Sequence, residues 1–447
     1  MKKQSFILGF VAMLSSITLA DAQPNRIKFQ EFTLDNGLHV ILHQDHSTPI
    51  VAVNITYHVG SKNEQPNRTG FAHFFEHLMF EGSKDVQRGE FVEYITNAGG
   101  VHNAGTSFDQ TQYYEILPSN QLKLALWLES DRLLQLRIDS VGVETQRSVV
   151  KEERRQRFDN QPYGSLLEEV FSNAFTSLPY RWVPIGDVQY IDEAKLQEFI
   201  DFHDHFYVPE NAVLVISGDL EYEKTRKLVS DYFADIPRGR YEIYRPDGKE
   251  PPHTKEIRKT IYDNIQLPAI FTAYRMPPMG DPDSYALEML QTLLSGGQSS
   301  RLYKALVDNK QLALETGAIP LALEDAGVFI IYGIANTKVR LEDLEAAMEE
   351  EISRVTEAGL TEREFQKLQN QTENDFISRN TTMAGISENL ATYYTFYGDA
   401  NLINTEIEKY LAVKPDQIVN AAKKYLVPEN RVVLYYLPKD QEPKSIN

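Results

Sequence analysis

The chain of 447 residues contains no cysteine. Disulfide bonds and thiolate ligands are therefore excluded, so a zinc ion could be held only by histidine and carboxylate side chains. A lipid anchor on an N-terminal cysteine is excluded as well. A cysteine-free chain avoids mispaired disulfides in an oxidising compartment, which suits the bacterial periplasm.

Basic residues are in short supply, with 45 Lys and Arg against 64 Asp and Glu and a formal net charge of −19. A chain this acidic is not expected to bind nucleic acid or an anionic membrane surface. Beyond the N-terminus, long apolar runs are also missing, since no stretch reaches the ~20 apolar residues of a membrane helix. We therefore expect no nucleic-acid partner and no membrane span, whereas peptides remain possible ligands.

The N-terminus carries an export signal. Two lysines precede an apolar run from Phe6 to Ala20, and Ala20-Asp21-Ala22 has the form of a cleavage site. This pattern predicts a signal peptide over residues 1–22, cleaved near Ala22, and an exported, periplasmic protein. The alternative is an uncleaved N-terminal anchor.

About 425 residues remain after the predicted cleavage, which exceeds what one hydrophobic core usually serves. Residues 237–254 are rich in proline, glycine and charge, as linkers are. On the two sides of this segment the tetrad Val-Pro-Glu-Asn occurs at 208–211 and 427–430, each time after a helical segment and before a β-rich run. We predict an N-terminal domain over 23–236 and a C-terminal domain over 255–447, related by duplication.

Strand and helix patterns alternate within the first half. Asp35-Asn36-Gly37 between two apolar runs indicates a β-hairpin. Further strands are predicted at 51–59, 101–106 and 112–117, and helices at 90–97, 122–135 and 143–158. Hairpins occur together with crossovers, so the predicted fold class is α+β, with two homologous α/β-sandwich domains.

The motif richest in chemistry is His73-Phe74-Phe75-Glu76-His77. Its apolar residues recur at helical spacing, and at about 100° per residue the two imidazoles and the carboxylate share one side of the helix. The spacing H-x-x-E-H is a zinc-peptidase signature, in which two histidines bind the metal and the glutamate stays free as a base. The alternative is a pair of histidines hydrogen-bonded inside a packed helix.

A third protein ligand is expected for a catalytic zinc. In the helix around residue 150, Val149 and Val150 are predicted to mark the buried side. Glu153 falls on that side at about 40° from Val149, whereas Glu152 falls near −60° and faces solvent. Gln146 lies almost above Glu153, as a possible hydrogen-bond partner behind it. The alternative is that Glu153 pairs with a buried arginine.

These residues resemble the pitrilysin/insulinase-type zinc peptidases, the inverzincins, which include mitochondrial processing peptidase. Glu153 lies 76 residues beyond His77, the usual interval to the third ligand in that family. The resemblance covers nearly all of the mature chain. Its matching residues include Asn36-Gly37-Leu38, Tyr57-His58-Val59-Gly60-Ser61, Glu64, Gly70, His73 to His77, Phe80, Gly82, Asn103-Ala104, Thr106, Asp109, Thr111, Tyr113-Tyr114, Ser130-Asp131-Arg132 and the turn Ser295 to Leu302.

The resemblance implies a clamshell of two domains around a chamber and a Zn²⁺ cofactor. It implies that His73, His77 and Glu153 are the zinc ligands and that Glu76 is the general base, so that the expected reaction is hydrolysis of peptides or unfolded segments by a metal-activated water. We expect the chain to be an enzyme, a zinc metalloendopeptidase.

The resemblance also implies that substrate docks as an added strand beside Asn103 and Ala104. The alternative for Asn103 is an ordinary turn residue. One departure concerns an arginine and a tyrosine, seven residues apart, that complete active sites in this family. Val307 and Leu314 stand at those positions here.

Val307 and Leu314 cannot donate a hydrogen bond to an oxyanion. The sequence therefore leads us to expect a zinc-bearing subunit of a heterodimer, whose zinc-less homologous partner supplies the arginine and tyrosine. The alternatives are a homodimer and a monomer with weak activity. The alternative function is a non-catalytic peptide-binding or assembly subunit that retains the metal helix.

Overall fold

The architecture is that of a computed structural model, which describes residues 26–246 and 248–443. The predicted signal peptide over 1–22 lies outside the described residues. In the first half the elements are β1 (Gln30–Thr33), β2 (His39–Gln44), β3 (Ile50–Tyr57), α1 (Phe71–Leu78), α2 (Glu90–Asn97), β4 (Val101–Thr106), β5 (Thr111–Pro118), α3 (Leu122–Gln135), α4 (Ser140–Arg154), α5 (Leu166–Ala174), α6 (Val188–Glu193), α7 (Leu196–Phe206), β6 (Ala212–Gly218) and α8 (Tyr222–Phe233).

In the second half they are β7 (Ile257–Asp263), β8 (Ala269–Met276), α9 (Pro282–Ser295), β9 (Ala313–Ala322), β10 (Gly327–Ala335), α10 (Leu341–Ala358), α11 (Glu362–Arg379), α12 (Met383–Tyr397), α13 (Leu402–Leu411), α14 (Pro415–Tyr425) and β11 (Arg431–Pro438). A π-helical turn over Arg155–Asp159 continues α4, and another over Tyr303–Asn309 precedes β9.

The strands form two sheets of matching topology. The first has the order β1-β2-β6-β3-β5-β4 and the second the order β7-β11-β8-β10-β9. In each sheet one pair is parallel, β2 with β6 and β7 with β11, and the other neighbours are antiparallel. Apart from β1, the two orders correspond strand for strand, so β4 is equivalent to β9 and β5 to β10. The predicted α+β fold of two homologous units is confirmed.

The repeated Val-Pro-Glu-Asn tetrad has the same structure in both units. Each copy forms a single helical turn directly before the parallel central strand, β6 or β11. The amide of Asn211 donates to the carbonyl of Phe206 at 2.8 Å, and the amide of Asn430 donates to the carbonyl of Tyr425 at 2.8 Å. The asparagine thus connects the end of a helix to the following strand, which explains why this residue recurs in both copies.

The predicted hairpin turn joins β1 and β2 and needs its glycine. Gly37 has φ of +93°, and a Cβ there would lie 2.6 Å from the Cβ of Glu210. The amide of Asn36 donates to the carbonyls of Phe233 and Ile236 at 2.8 and 2.9 Å. The turn therefore holds the end of α8 against the first sheet.

A helix from the second half covers the first sheet. Residues Ile386 and Leu390 of α12 form a buried cluster with Ile41, Val213 and Val215 of β2 and β6. At the edge of this cluster the ring of Tyr394 in α12 stacks on His39 of β2, with centroids 3.4 Å apart. Because this sheet face is apolar, α12 removes it from water and stabilises the first unit.

A helix from the first half covers the second sheet in return. Val170 and Phe171 of α5 share a buried cluster with Phe271 of β8 and Leu434 of β11. Just before α5, the hydroxyl of Ser165 lies 2.9 Å from the hydroxyl of Tyr436. The two units therefore exchange covering helices, and each sheet depends on a segment from the other half.

The described part of 237–254 contains no helix or strand. It is nevertheless held in place, because the carboxylate of Glu250 accepts hydrogen bonds from the backbone N–H groups of Thr176, Ser177 and Leu178 at 2.8 to 2.9 Å. Along the sequence, the strands of the first sheet precede this segment and those of the second sheet follow it. The helix that covers each sheet comes from the other side of the segment. The domain boundaries 23–236 and 255–447 stay a prediction.

Within residues 26–246 and 248–443, no helix combines the length and the apolar composition that crossing a bilayer requires.

Candidate metal centre

The H-x-x-E-H segment lies on α1, which begins immediately after Gly70. This glycine has φ of +94°, and a Cβ there would lie 3.0 Å from the carbonyl oxygen of Ile185. The buried carboxylate of Glu64 accepts hydrogen bonds from the N–H groups of Gly70 and Ala72 at 2.9 and 2.8 Å. It therefore satisfies the free donors at the start of the helix. Burial raises the pKa of Glu64 to about 8.

The apolar face of α1 orients the two histidines. The four apolar side chains that the sequence assigns to the core, Phe71, Phe74, Phe75 and Leu78, are all buried. Phe71 stacks on Phe199 of α7 with ring centroids 4.7 Å apart. Because this face is fixed against the core, the imidazoles on the other side are directed toward α4.

His73, His77 and Glu153 come together. Each offers one ligand atom, and these three atoms lie within 4.8 Å of one another. Oε2 of Glu153 is 3.1 Å from Nε2 of His77 and 3.6 Å from Nε2 of His73. Ligand atoms bonded to a tetrahedral zinc at about 2.0–2.1 Å are about 3.3 Å apart. The spacing of these donors therefore fits a single zinc ion.

The inward direction of Glu153 follows from helical phase, although one residue used to define that phase is misplaced. Val150 is buried as predicted, but Val149 is 43% exposed, so its predicted burial is wrong. The buried side of α4 is centred on Val143 and Val150, which are seven residues apart and share a phase, and Val149 lies about 100° away. Glu153 is only about 60° from Val150 and still faces inward.

The protonation states also suit a metal. Burial and the neighbouring His77 lower the pKa of His73 to about 4, so its imidazole is neutral. The hydrogen bond with His77 lowers the pKa of Glu153, so its carboxylate is ionised. Neutral imidazole and ionised carboxylate are the forms that bind zinc. His73 and Glu153 are thus in the protonation states that a divalent cation requires.

Glu76 lies beside this cluster and has a partner that sequence reasoning gave no role. The hydroxyl of Thr106, the last residue of β4, donates to Oε2 of Glu76 at 2.7 Å. Burial raises the pKa of Glu76, which makes its carboxylate a better proton acceptor near neutral pH. Thr106 lies 30 residues from Glu76, and only the packing of α1 against β4 brings the two together.

The prediction that Gln146 supports Glu153 is wrong. Its amide donates to Oε1 of Glu81 at 2.6 Å, and Oε2 of Glu81 accepts from Arg88 at 2.5 Å. The physical reason is the helical rise, since seven residues place Gln146 about 10 Å along α4 from Glu153. Equal phase put both side chains on one face but at different heights.

Arg157 was missed at the sequence level. Its guanidinium lies 2.7 Å from Oε1 of Glu153, while Oε2 of the same carboxylate faces the two histidines. Glu153 and Arg157 are four residues apart, and an acid and a base at this spacing on a helix commonly form an ion pair, so the sequence did contain a signal for this contact.

Asn103 and Ala104 lie on β4, at the edge of the first sheet. Within the described residues β4 pairs with β5 alone, so its other side has free backbone donors and acceptors. Asn103 is exposed, and its side-chain oxygen accepts from the N–H of Ala104 at 3.0 Å. The turn-residue alternative for Asn103 is wrong because the residue is inside a strand.

Val307 lies in the π-helical turn before β9, and Leu314 is the second residue of β9 and 61% exposed. β9 is an edge strand, the equivalent of β4 in the second sheet.

A duplicated α+β fold is combined here with a histidine pair that faces a glutamate far along the chain. This combination is typical of the peptidases with the H-x-x-E-H signature, and family models match the chain to the same class. Residues 39–181 match the model described as insulinase (peptidase family M16), and residues 193–372 match the peptidase M16 inactive domain. The zinc protease PqqE of Helicobacter pylori is 30% identical over 420 residues, which are 93% of this chain and 94% of that protein. The chain belongs to the insulinase family, peptidase family M16.

Solved structures agree with this fold. The crystal structure of a protease from Helicobacter pylori has a TM-score of 0.87 at 30% identity and covers 92% of this chain and 100% of that one. The periplasmic protease PqqL from Escherichia coli has a TM-score of 0.77 at 19% identity, covering 92% of this chain and 48% of that one. At that identity the likeness to PqqL concerns the fold alone.

Proposed function

We propose that this chain is a zinc-dependent endopeptidase that hydrolyses peptides or unfolded segments. The observation that carries the proposal is the approach of His73, His77 and Glu153 to within 4.8 Å, with Glu76 beside them. We assign the first three as zinc ligands and Glu76 as the general base. The names of the relatives support the zinc assignment, because PqqE of Helicobacter pylori is called a zinc protease.

The proposed mechanism divides the work among these side chains. His73, His77 and Glu153 would hold the zinc ion, which would supply Lewis-acid polarisation of a peptide carbonyl and lower the pKa of a water molecule toward ~7. Glu76 accepts the proton of the attacking water and then transfers it to the leaving amine. The hydroxyl of Thr106 holds Oε2 of Glu76 at 2.7 Å, which leaves Oε1 free for the proton.

We propose that substrate binds as an added strand along β4, next to Asn103 and Ala104. The free edge of β4 supports this proposal, because an extended peptide can pair with its unused backbone groups. Such pairing needs an extended backbone with free N–H and C=O groups, so it favours unfolded segments over folded proteins. Preference for particular residues would come from the side-chain pockets beside the strand.

We propose further that the active form contains two chains. Val307 and Leu314 cannot supply a hydrogen-bond donor, so stabilisation of the oxyanion would come from an arginine and a tyrosine of a zinc-less homologous partner. A homodimer is the alternative.

We also propose export to the periplasm, with cleavage near Ala22, which the name of the periplasmic protease PqqL supports only by analogy of fold.

The second candidate is a non-catalytic subunit that binds peptides and retains the metal helix. Two observations favour it, the apolar residues at 307 and 314 and the match of residues 193–372 to the inactive-domain model. The intact set of His73, Glu76, His77 and Glu153 favours the enzyme.

The test compares the purified chain with its Glu76→Gln variant, and Glu152→Gln serves as a control because Glu152 is on the same helix as Glu153 and pairs with Arg155 at 2.7 Å. We expect about one zinc per chain in all three. Cleavage of an unfolded fluorogenic peptide, measured with the partner chain present where the wild type needs one, should be lost in Glu76→Gln and retained in Glu152→Gln. A chain without zinc, with peptide binding unchanged by Glu76→Gln, would favour the second candidate. Full activity of the isolated monomer would refute the two-chain form.

A further inference from the structure

A buried lysine lies where the two units meet. The side chain of Lys62 is only 3% exposed, and its ammonium group lies 3.0 Å from Oδ1 of Asp109 and 3.3 Å from Oδ2 of Asp325. It also pairs with Glu324. Lys62 and Asp109 belong to the first half, whereas Glu324 and Asp325 belong to the turn between β9 and β10. One ammonium group therefore joins carboxylates from both halves.

Further hydrogen bonds complete this contact. The hydroxyl of Tyr180 donates to Oδ1 of Asp109 at 2.7 Å and accepts from the N–H of Asp325 at 3.1 Å. The N–H of Glu324 donates to Oδ2 of Asp109 at 3.0 Å, and His58 lies 2.8 Å from Glu324. Because buried polar groups are costly unless they are paired, this mutual pairing makes the contact rigid and specific.

The two turns that meet at Lys62 are equivalent in the duplicated fold. Residues 107–110 connect β4 to β5, and residues 323–326 connect β9 to β10, each with four residues between paired strand ends. Asp109 and Asp325 are the third residues of their turns. The same element of each unit thus contacts its counterpart, and the ammonium of Lys62 offsets the repulsion between the two aspartates.

The first of these turns leads directly to Glu76. Thr106, which donates to Glu76, is the residue before the turn. The turn is held from the other side by the N–H groups of Ser61 and Lys62, which donate to the carbonyls of Ser107 and Phe108 at 3.2 and 2.9 Å. A displacement of the turn therefore moves Thr106, and with it the orientation of the Glu76 carboxylate.

We propose that the β9–β10 turn is a positioning element for catalysis: Glu324 and Asp325 fix the β4–β5 turn, which holds the Thr106 hydroxyl on Glu76. The proposal rests on the role of Glu76 as general base proposed above. It assigns the metal-free second unit a direct part in the chemistry of the first. Glu324 and Asp325 are positioning residues in this scheme, because they act through Asp109 and Thr106.

The test is a double-variant cycle in the full chain with its partner, if one is required. Glu324→Gln keeps the size of the side chain and an acceptor for Lys62, while Asp109 and Asp325 still pair with the ammonium, so the fold is retained. We expect kcat to fall by about 10-fold, since small misplacements of catalytic groups have effects of this order or larger. Thr106→Val removes the donor to Glu76 and should lower kcat as well.

The combination separates positioning from general destabilisation. If Glu324 acts through Thr106, adding Glu324→Gln to Thr106→Val has little further effect on kcat, because the contact it supports is already absent. Independent effects that multiply would overturn the proposal. Glu315→Gln is the matched control, since Glu315 lies on β9, is exposed and accepts only from Tyr332 among its observed contacts. Zinc content should be equal in every variant.

Hydrogen exchange of residues 101–106 gives a readout that needs no activity. We expect Glu324→Gln to accelerate exchange there by several fold, with Glu315→Gln unchanged. Equal exchange in Glu324→Gln and the wild type would overturn the coupling. If the wild type fails to cleave any peptide, the proposed function fails, and the exchange result alone then decides whether the β9–β10 turn orders β4.

Discussion

The guanidinium of Arg157 bonds to one oxygen of Glu153 at 2.7 Å, while the other oxygen of that carboxylate faces His77 at 3.1 Å. Arg157 is 74% exposed, so its charge is largely screened by water, and its main effect is on direction. By holding Oε1, it leaves Oε2 as the single oxygen available to the metal. In the proposed zinc site, Glu153 would therefore bind the metal through one oxygen.

Arg157→Gln should weaken zinc binding without unfolding the chain. Loss of a group that orients a ligand typically costs about 10- to 100-fold in metal affinity. Competition with a chromophoric chelator measures the zinc dissociation constant directly. Arg155→Gln is the matched control. Arg155 is also exposed, but it pairs with Glu152 and not with Glu153. Equal zinc affinity in the two variants would show that Arg157 has no orienting role.

The contact around Lys62 predicts a dependence of stability on pH. Burial alone would raise the pKa of Glu324, but the hydrogen bond from His58 and the charges of His58 and Lys62 lower it to about 2. Because the folded pKa is below the unfolded value of 4.5, the stabilising contribution of Glu324 is present above pH 4.5 and is lost as the pH falls toward 2.

We therefore expect Glu324→Gln to lower the thermal midpoint of the metal-free chain by about 1 °C at pH 7, because about 1 kcal/mol is divided by the large unfolding entropy of a chain of 447 residues. The difference from the wild type should shrink steadily between pH 5 and pH 2. Thermal melts at half-unit pH intervals measure this, with Glu315→Gln alongside. A difference that stays constant down to pH 2 contradicts the assigned pKa.

The exchange of α5 and α12 between the units predicts that neither half folds alone. A chain of residues 23–236 lacks α12, so the sheet face around Ile41, Val213 and Val215 is left in water. We expect it to bind a hydrophobic dye and to lack a cooperative unfolding transition. Mixing it with residues 237–447 should restore both the transition and zinc binding. Cooperative unfolding of the isolated first half would contradict this expectation.

The two-chain proposal predicts a gain of function from Val307→Arg combined with Leu314→Tyr. Leu314 is exposed and Val307 is only partly buried at the edge of an apolar cluster, so we expect the longer side chains to extend into solvent. If two copies associate, each supplies the missing donors to the other, and kcat should rise by about 10- to 100-fold. The same pair of changes in Glu76→Gln should remain inactive. A dimeric variant with unchanged kcat would refute this role for positions 307 and 314.

The parts of the fold that depend on local pattern were predicted well. The helix carrying His73 and His77 was visible because its apolar residues recur at helical spacing, and the hairpin at Gly37 because asparagine-glycine strongly favours that turn. The duplication was visible because the asparagine of each tetrad has the same structural task. The metal ligand roles of His73, His77 and Glu153 stay predictions, although the structure brings them together.

Other features could not be predicted, because they depend on distance along an element or on contacts between distant segments. The angular position around the helix places Gln146 and Glu153 on one face, but it does not report the distance along the helix axis that separates them. Thr106 and Glu76 meet only because a helix and an edge strand pack together. The contact of Lys62 with Glu324 crosses more than half of the chain, and no local pattern marks it.

The reciprocal packing of α5 and α12 is consistent with an origin by duplication. One unit by itself exposes an apolar sheet face to water, and a helix from a second copy of the same unit can cover that face. Gene fusion of two such copies keeps them at a fixed one-to-one ratio. In the joined chain, residues 255–447 contain no histidine, yet their helix α12 covers the sheet of the unit that carries His73 and His77. The unit without histidines therefore forms part of the hydrophobic core of the unit that carries them.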